Sequence, residues 1–148
     1  MHEVFEISER YIEPGDANDL LYEPVANGLT YRRTRRYEFE IEGDARELER
    51  FARSTLFDEV SQQWHQGKNA ALEGSVFGLD YGMKPGALDL EKEAIIAHYR
   101  EIKNPGFELK NLEIRQRIYA FGESPGDNLS DRFVRDICNG AIHNWKVI

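Results

Sequence analysis

One short pattern occurs twice in the sequence, and this repeat constrains the fold more than any other feature. The stretch RFARSTLFDEVSQQW runs from Arg50 to Trp64, and RFVRDICNGAIHNW runs from Arg132 to Trp145. Both stretches open with Arg-Phe-x-Arg, and both close on a tryptophan. A period of about 80 residues is too long for a solenoid repeat, so the echo predicts a duplicated α+β module.

Two strands and one strong helix are predicted in the first half. HEVFEISERYI alternates between apolar and polar residues from His2 onward, which is typical of a strand. TYRRTRRYEFEIEG (30–43) predicts a longer strand, with Tyr37 on its apolar face. GDARELERFARSTLFDEV has helical periodicity, with Phe51 at a predicted core position on its apolar stripe and a candidate N-cap at Asp44. NDLLYEPVANGL predicts at most a short, poor helix, because Pro24 interrupts it.

The order strand, helix, long strand, helix occurs in both halves. SVFGLDYGM predicts a strand, and DLEKEAIIAHYREIK predicts a helix capped by Asp89. FELKNLEIRQRIYAF predicts a long strand, followed by a loop, GESPGDN, over residues 122–128. LSDRFVRDICNGAI then predicts a helix, with Phe133 at a predicted core position on its apolar stripe, and NWKVI predicts a short final strand.

This order predicts an α+β fold built from two tandem halves, with antiparallel sheets and helices packed on one face. The first repeat covers residues 1–66, a linker covers 67–74, and the second repeat covers 75–148. The linker is predicted from its small residues and its lack of periodicity. Because either half alone would bury little core, we expect the halves to share a sheet or to pack sheet to sheet.

Charge and composition limit the partners and the compartment. A net charge of -8 argues against binding to nucleic acid or to an anionic membrane. No apolar run approaches the ~20 residues of a membrane helix, and the acidic N-terminal stretch is unlike a signal peptide. The single cysteine, Cys138, excludes an internal disulfide and favours a reducing compartment. We therefore expect a cytoplasmic protein.

Three segments of the second half together resemble a known family. They are KPGALDLEKEAI, the strand LEIRQRIYAF, and VRDICNGAIHNWKVI near the C-terminus. They resemble the PurS subunit of phosphoribosylformylglycinamidine synthase, a ligase of purine biosynthesis. The matching family-motif residues are Lys84, Pro85, Gly86, Asp89, Cys138 and Asn144. The chain departs from the family pattern at Leu90, Lys92, Gln116, Arg117 and Trp145. The resemblance covers residues 76–148 well, whereas residues 2–66 keep only its outline.

The resemblance implies an α+β fold with two tandem ferredoxin-like (PurS-like) halves. It also implies a role as a noncatalytic assembly subunit in de novo purine biosynthesis. Such a subunit bridges the ATP-using large synthase subunit and the glutaminase subunit, so that ammonia passes between their active sites. It also pairs with itself, and a tandem copy would imitate that homodimer within one chain. ATP and Mg²⁺ would belong to the partner, so we expect no cofactor, no metal and no turnover from this chain alone. Self-association into a homo-oligomer remains open.

The stretch YRRTRRY keeps a second function open. Tyr31, Arg33, Arg35 and Tyr37 are candidate interface residues, because tyrosine and arginine often dominate interfaces. Paired arginines also suit the phosphate of a nucleotide. The simplest interpretation is a salt-bridged sheet face, since alternation divides the arginines between both faces of a strand. The alternative function is a stand-alone ferredoxin-like module that binds a ligand or dimerises.

A run of alternating glutamates supports a third function. Glu38, Glu40 and Glu42 share one strand face, and such carboxylates can hold Mg²⁺ against a phosphate. This alternative is a small metal-dependent phosphate-processing enzyme. A solvated strand face is the simpler interpretation. The histidines and Cys138 have no metal-ligand spacing, so no catalytic residue is assigned.

Overall fold

A single antiparallel sheet organises the chain, and the computed structural model describes residues 1–123 and 128–148. Within that part the protein is α+β, with three α-helices and one short 3₁₀ helix over Ala17–Leu20. The helices are α1 (Ala45–Leu56), α2 (Leu90–Glu101) and α3 (Leu129–Ile137). The strands are β1 (His2–Glu9), β2 (Gly15–Asp16), β3 (Thr30–Gly43), β4 (Gln62–Gln66), β5 (Phe77–Met83), β6 (Phe107–Phe121) and β7 (His143–Val147).

The strand order is β4-β1-β3-β6-β5-β7, with the short β2 paired only to β3. From either edge, an edge strand is followed by the first strand of that half and then by its long strand. The registers also correspond. Cross-strand partners fall into two matching sets: Ile7, Arg35 and Trp64 in the first half, and Tyr81, Gln116 and Trp145 in the second. The two long strands meet in the middle, so both halves share one sheet.

A β-bulge between Glu40 and Ile41 in the β3·β6 pairing keeps the apolar residues on one face. Before the bulge Phe39 lies opposite Leu112, and after it Ile41 lies opposite Leu109. The bulge adds one residue to β6 and so reverses the alternation of its side chains. Odd-numbered Leu109 and even-numbered Leu112 therefore point to the same face of the sheet. The apolar face of the long strands therefore continues to their ends.

All the helices pack against one face of the sheet, here called the helix face, and they form two separate cores. Helices α1 and α2 cover the first core: Phe5, Ile7, Tyr37, Phe39, Ile41, Leu48, Phe51, Ala52, Ile95, Phe107, Leu112 and Ile114. Helix α3 and the 3₁₀ helix cover the second: Ala17, Ala26, Leu29, Leu79, Leu129 and Phe133. Phe51 and Phe133 of the two Arg-Phe-x-Arg helices are both buried, as predicted.

Local capping fixes where the helices begin. Asp44 accepts a hydrogen bond from the Arg46 amide at 2.9 Å, and Asp89 accepts one from the Lys92 amide at 3.1 Å. Each carboxylate thereby satisfies an otherwise unpaired amide of the first turn, which confirms both predicted caps.

The opposite side of the sheet, here called the polar face, is crossed by the segment 67–76. This segment joins β4 to β5, which lie in the sheet on opposite sides of β1, β3 and β6. Its Lys68 carbonyl accepts a hydrogen bond from Arg36 at 3.1 Å, which places it on the face away from the helices. The predicted linker thus shields part of the sheet from water.

The predicted elements differ from the structure in several places. Helices α1 and α3 end at Leu56 and Ile137, before the predicted ends at Val60 and Ile142. The stretch Gln62–Gln66 was not predicted as a strand, yet it forms the edge strand β4. The first strand ends at Glu9, so Tyr11 lies beyond it and is exposed. In the predicted loop 122–128, residues 124–127 lie outside the described residues. Within residues 1–123 and 128–148, no helix is long and apolar enough to cross a membrane.

Candidate functional site

Seven polar side chains meet on the polar face and form the buried ion cluster. They come from four strands and are Glu6, Thr34, Arg36, Asp80, Arg115, Arg117 and Tyr119. Strand alternation points them away from the helix face, and cross-strand pairing brings them together. Glu6 lies opposite Arg36, and Asp80 lies opposite Arg117. Each acid is thus supplied by the first strand of its half.

The two acids of this cluster are fully paired. Asp80 bridges two arginines, with its oxygens 2.7 Å from Nε of Arg115 and 2.7 Å from Nε of Arg117. Glu6 accepts hydrogen bonds from the hydroxyls of Thr34 at 2.7 Å and Tyr119 at 2.5 Å. Its other oxygen contacts Arg36 and Arg117 at 3.3 and 3.4 Å. Buried charges are tolerated when they are paired in this way.

The cluster raises the pKa of two of its members, Tyr119 and Arg117. Burial raises the pKa of Tyr119, and the hydrogen bond to the Glu6 carboxylate raises it further. Burial alone would lower the pKa of Arg117, but its contacts with Tyr119, Asp80 and Glu6 outweigh burial, so the pKa is raised. The cluster therefore keeps Arg117 charged and Tyr119 neutral, which is typical of a structural network.

A cleft of about 340 Å³ opens on the helix face above the middle of β3, and it is here called the β3 cleft. Its floor includes Ile7 of β1, Gln116 of β6 and a row of β3 residues. The loop after β1 and the end of α1 supply walls through Ile12 and Leu56. A volume of this size lies in the range of small-molecule sites. All four predicted interface residues line the cleft: Tyr31, Arg33, Arg35 and Tyr37.

At one end of the cleft, an acid from α2 holds two of these residues. Glu91 pairs with Arg35 at 3.0 Å and accepts a hydrogen bond from the Tyr37 hydroxyl at 2.6 Å. Tyr37 is only 2% exposed, and burial together with Glu91 raises its pKa well above the usual value. Burial would lower the pKa of Arg35, but its contacts with Tyr37 and Glu91 raise it. Half of the Arg35 side chain still faces solvent.

At the other end, Arg33 is exposed and lies over the Tyr31 ring, with its guanidinium carbon 5.6 Å from the ring centre. Among the described residues it makes no ion pair. Tyr31 in turn lies against Gly15, where an added Cβ would come within 2.4 Å of the ring. The absence of a side chain at Gly15 therefore lets the tyrosine lie flat and support Arg33.

The family-motif residues follow β5 along the chain, with the last of them, Asn144, in β7, and they make structural contacts. Lys84 donates a hydrogen bond to the Gly140 carbonyl at 2.6 Å, and Asp89 caps α2. Asn144 accepts a hydrogen bond from Arg115, which links β7 to the buried ion cluster. Cys138 ends α3, and burial raises the pKa of its thiol. Pro85 and Gly86 form the exposed turn before α2, where Gly86 has a φ of +88°.

The glutamates of β3 lie apart from the cleft. Glu38 pairs with Arg36 at 3.5 Å, and Glu42 lies 3.8 Å from Lys110. Glu40 lies across from Asn111 of β6. Within residues 1–123 and 128–148, no group of three or more histidine, cysteine, aspartate or glutamate side chains is placed to hold a metal ion.

Sequence reasoning missed the acids that organise both sites. Glu6 and Asp80 each stand between two apolar neighbours of an alternating strand, and Glu91 is an ordinary residue of a helical first turn. A charged residue between apolar neighbours of a strand is a usable signal. Its partners, however, come from strands far away in sequence, so the pattern alone does not name them.

Comparison with known proteins adds no family assignment. No protein-family model matches the chain, and no curated protein matches it. A functional proposal must therefore come from the geometry and from the resemblance in the second half.

Proposed function

We propose that this chain is a noncatalytic assembly subunit of phosphoribosylformylglycinamidine synthase, acting in the cytoplasm in purine biosynthesis. It would bridge the ATP-using large subunit and the glutaminase subunit. We also propose that residues 1–66 and 75–148 are two PurS-like, ferredoxin-like repeats joined by the linker 67–74. ATP, Mg²⁺ and the reacting groups would belong to the partner subunits.

The observation that carries this proposal is the matching register of the two halves around the β3·β6 pairing. Trp64 and Trp145 occupy corresponding places on the two edge strands, opposite Ile7 and Tyr81. Glu6 and Asp80 likewise correspond, as the cross-strand partners of Arg36 and Arg117. A duplicated module explains these correspondences directly. A subunit that pairs with itself would then have become one chain through a shared sheet.

The two edges of the sheet differ, and this difference favours one side for partner binding. On β4, Trp64 packs against Phe5 and Phe57, and Arg53 lies over its ring at 4.5 Å. On β7, Trp145 remains 44% exposed. Other apolar side chains exposed at that end are Met83, Ile142, Val147 and Ile148. Exposed apolar residues beside an open sheet edge are typical of an interaction surface, so we assign the large subunit to the β7 edge.

Reconstitution tests the proposal. The purified chain is assayed with ATP, Mg²⁺, glutamine and formylglycinamide ribonucleotide, alone and then with large and glutaminase subunits. We expect no turnover alone and glutamine-dependent turnover in the mixture that requires this chain. Activity of the chain by itself, or a mixture whose activity and assembly ignore the chain, would contradict the proposal.

A pair of variants locates the contact. Trp145→Ala should weaken capture of the large subunit at least tenfold, because exposed aromatic residues often anchor interfaces. Tyr11→Ala removes another exposed aromatic side chain, next to Arg10, whose amide donates a hydrogen bond to the Ser61 carbonyl beside β4, and serves as the control. Equal capture by both variants would place the contact elsewhere on the surface.

A further inference from the structure

The β3 cleft contains a basic group that the fold leaves free. Arg33 lies on the helix face of β3, two residues from Arg35, and both line the cleft. The ring of Tyr31 supports Arg33, while Glu91 holds Arg35 by one nitrogen. Two guanidinium groups are therefore held in place with donors still directed to solvent. Guanidinium groups bind carboxylates and phosphates through paired hydrogen bonds.

Apolar residues lie beside these arginines. Ile7, Ile12 and Leu56 line the same cleft, and the Ile12 side chain is 67% exposed. Gln116 on the floor offers an amide donor and an amide acceptor, and among the described residues its side chain makes no hydrogen bond. An amide next to apolar surface can match the polar edge of a planar ring, while the ring itself covers the apolar wall.

The remaining charges limit how negative the ligand can be. Glu9 and Glu13 also line the cleft, and Glu9 accepts a hydrogen bond from Gln62 at 2.8 Å. The lining holds three arginines (Arg32, Arg33 and Arg35) and these two carboxylates, so little net positive charge remains. Polyphosphates and nucleic-acid strands would meet repulsion from these acids, so the site suits one anionic group.

We propose that the β3 cleft binds a small molecule with a single anionic group attached to a planar ring. Arg33 and the free edge of Arg35 hold the anion, Gln116 contacts the ring edge, and Ile7, Ile12 and Leu56 cover the ring. An aromatic carboxylate and a nucleoside monophosphate share this chemistry. The site is independent of the subunit-bridging role, since it lies on the helix face and not on the β7 edge.

Calorimetry and two-dimensional NMR on the full chain test this site with defined probes. The charged ring probes are indole-3-acetate and AMP, and the uncharged ones are indole-3-ethanol and adenosine. Acetate and inorganic phosphate lack the ring, and ATP adds charge. We expect at least one charged ring probe to bind at least tenfold more tightly than its uncharged partner, its ringless partner and ATP. The charged ring probe that binds more tightly identifies the preferred anion: carboxylate for indole-3-acetate, and phosphate for AMP.

Variants then link binding to the cleft. Arg33→Gln should weaken the binding probe at least tenfold, as expected for the loss of a charge-assisted hydrogen bond. Arg46→Gln changes an exposed arginine of α1 outside the cleft and should leave affinity unchanged. Because Arg33 is exposed, both variants should keep the melting temperature of the parent protein.

Three results would overturn the inference. The first is that neither charged ring probe binds with a Kd below about 10 mM, which corresponds to roughly -2.7 kcal/mol. The second is equal affinity in Arg33→Gln and the parent protein. The third is a loss of large-subunit capture in Arg33→Gln without any probe binding, which would assign the cleft to a protein partner. If the reconstituted synthase shows no activity, the probe titrations still test the β3 cleft, because they do not depend on the synthase assay.

Discussion

Asp80 is the residue on which the second half of the buried ion cluster depends. It is 1% exposed and pairs with Arg115 and Arg117 through separate oxygens. The two arginines are themselves buried, so they have little access to water as a substitute partner. The ion pairs therefore add little net stability, whereas removing one partner is strongly destabilising.

Asp80→Asn should destabilise the protein by roughly 3–5 kcal/mol, because it leaves buried arginine charge without a full counter-charge. The free energy of unfolding from urea titrations measures the effect. Asp19→Asn makes the same chemical change at an exposed position and is the matched control. Similar losses in the two variants would show that the cluster is not shielded from solvent.

Tyr119 makes stability depend on pH above neutrality. Its pKa is raised in the folded protein, whereas in the unfolded chain a tyrosine ionises near pH ~10. Above that pH the unfolded state loses a proton that the folded state keeps, so unfolding becomes more favourable. The stabilising contribution is complete below pH ~10 and falls as the pH rises toward the folded pKa.

Tyr119→Phe should lose less stability than the parent protein between about pH 9 and 11. This range brackets the ordinary tyrosine pKa of about 10. The difference in slope approaches ~1.4 kcal/mol per pH unit once the unfolded tyrosine is ionised. Urea titrations across this range provide the slopes, with Tyr22→Phe at an exposed position as the control. A parallel decline in Tyr119→Phe and the parent protein would refute the assignment.

The edge strands β4 and β7 correspond in register but are covered differently. Helix α1 continues to Leu56, and the following Phe57 reaches Trp64 at a ring separation of 5.3 Å. Helix α3 ends at Ile137 and leaves Trp145 partly exposed. The side chains of Arg53 and Phe57 therefore cover Trp64, whereas Trp145 is left at the surface.

Trp64→Ala should cost about 3 kcal/mol, at the low end of the range for truncating a packed aromatic residue. Trp145→Ala should cost about 1 kcal/mol or less, as for a surface substitution. Thermal and urea unfolding of the two variants give the comparison, and each serves as the other's control. A larger loss for Trp145 would mean that β7 is packed within the chain and is not free to bind a partner.

Across the whole molecule, the β3·β6 pairing unites the two halves. It extends from Thr30 opposite Phe121 to Gly43 opposite Phe107. The buried ion cluster crosses the same junction, since Glu6 of the first half contacts Arg117 and Tyr119 of the second. Separating the halves would expose two long strand edges together with buried charges.

Residues 1–66 and 75–148, expressed separately, should therefore fail to fold as stable monomers, and mixing them should restore the β-sheet signal. Small domains bury too little surface to offset such losses. Circular dichroism and sedimentation measure folding and assembly, and the intact chain is the reference. If either half is a cooperatively unfolding monomer, the shared sheet is not what stabilises the fold.

Local sequence patterns were sufficient to determine most elements. The alternation of TYRRTRRYEFEIEG and FELKNLEIRQRIYAF predicted β3 and β6 to their exact residues, because side-chain direction in a strand depends only on position. Asp44 and Asp89 marked the helix starts because capping joins neighbours in sequence. Phe51 and Phe133 were recognised as core residues from helical periodicity alone.

The tertiary structure decided which polar residues are buried and where a cleft forms. Glu6, Asp80 and Arg117 follow an ordinary polar alternation, and only the folded chain, in which the segment 67–76 crosses part of their face, shows that they are buried. The strand β4 depends on pairing with β1, since QQWHQ has little strand signal of its own. Likewise, Glu91 approaches Arg35 and Tyr37 across a separation of more than 50 residues. Contacts between distant segments depend on how the whole chain packs, and no local pattern in the sequence encodes them.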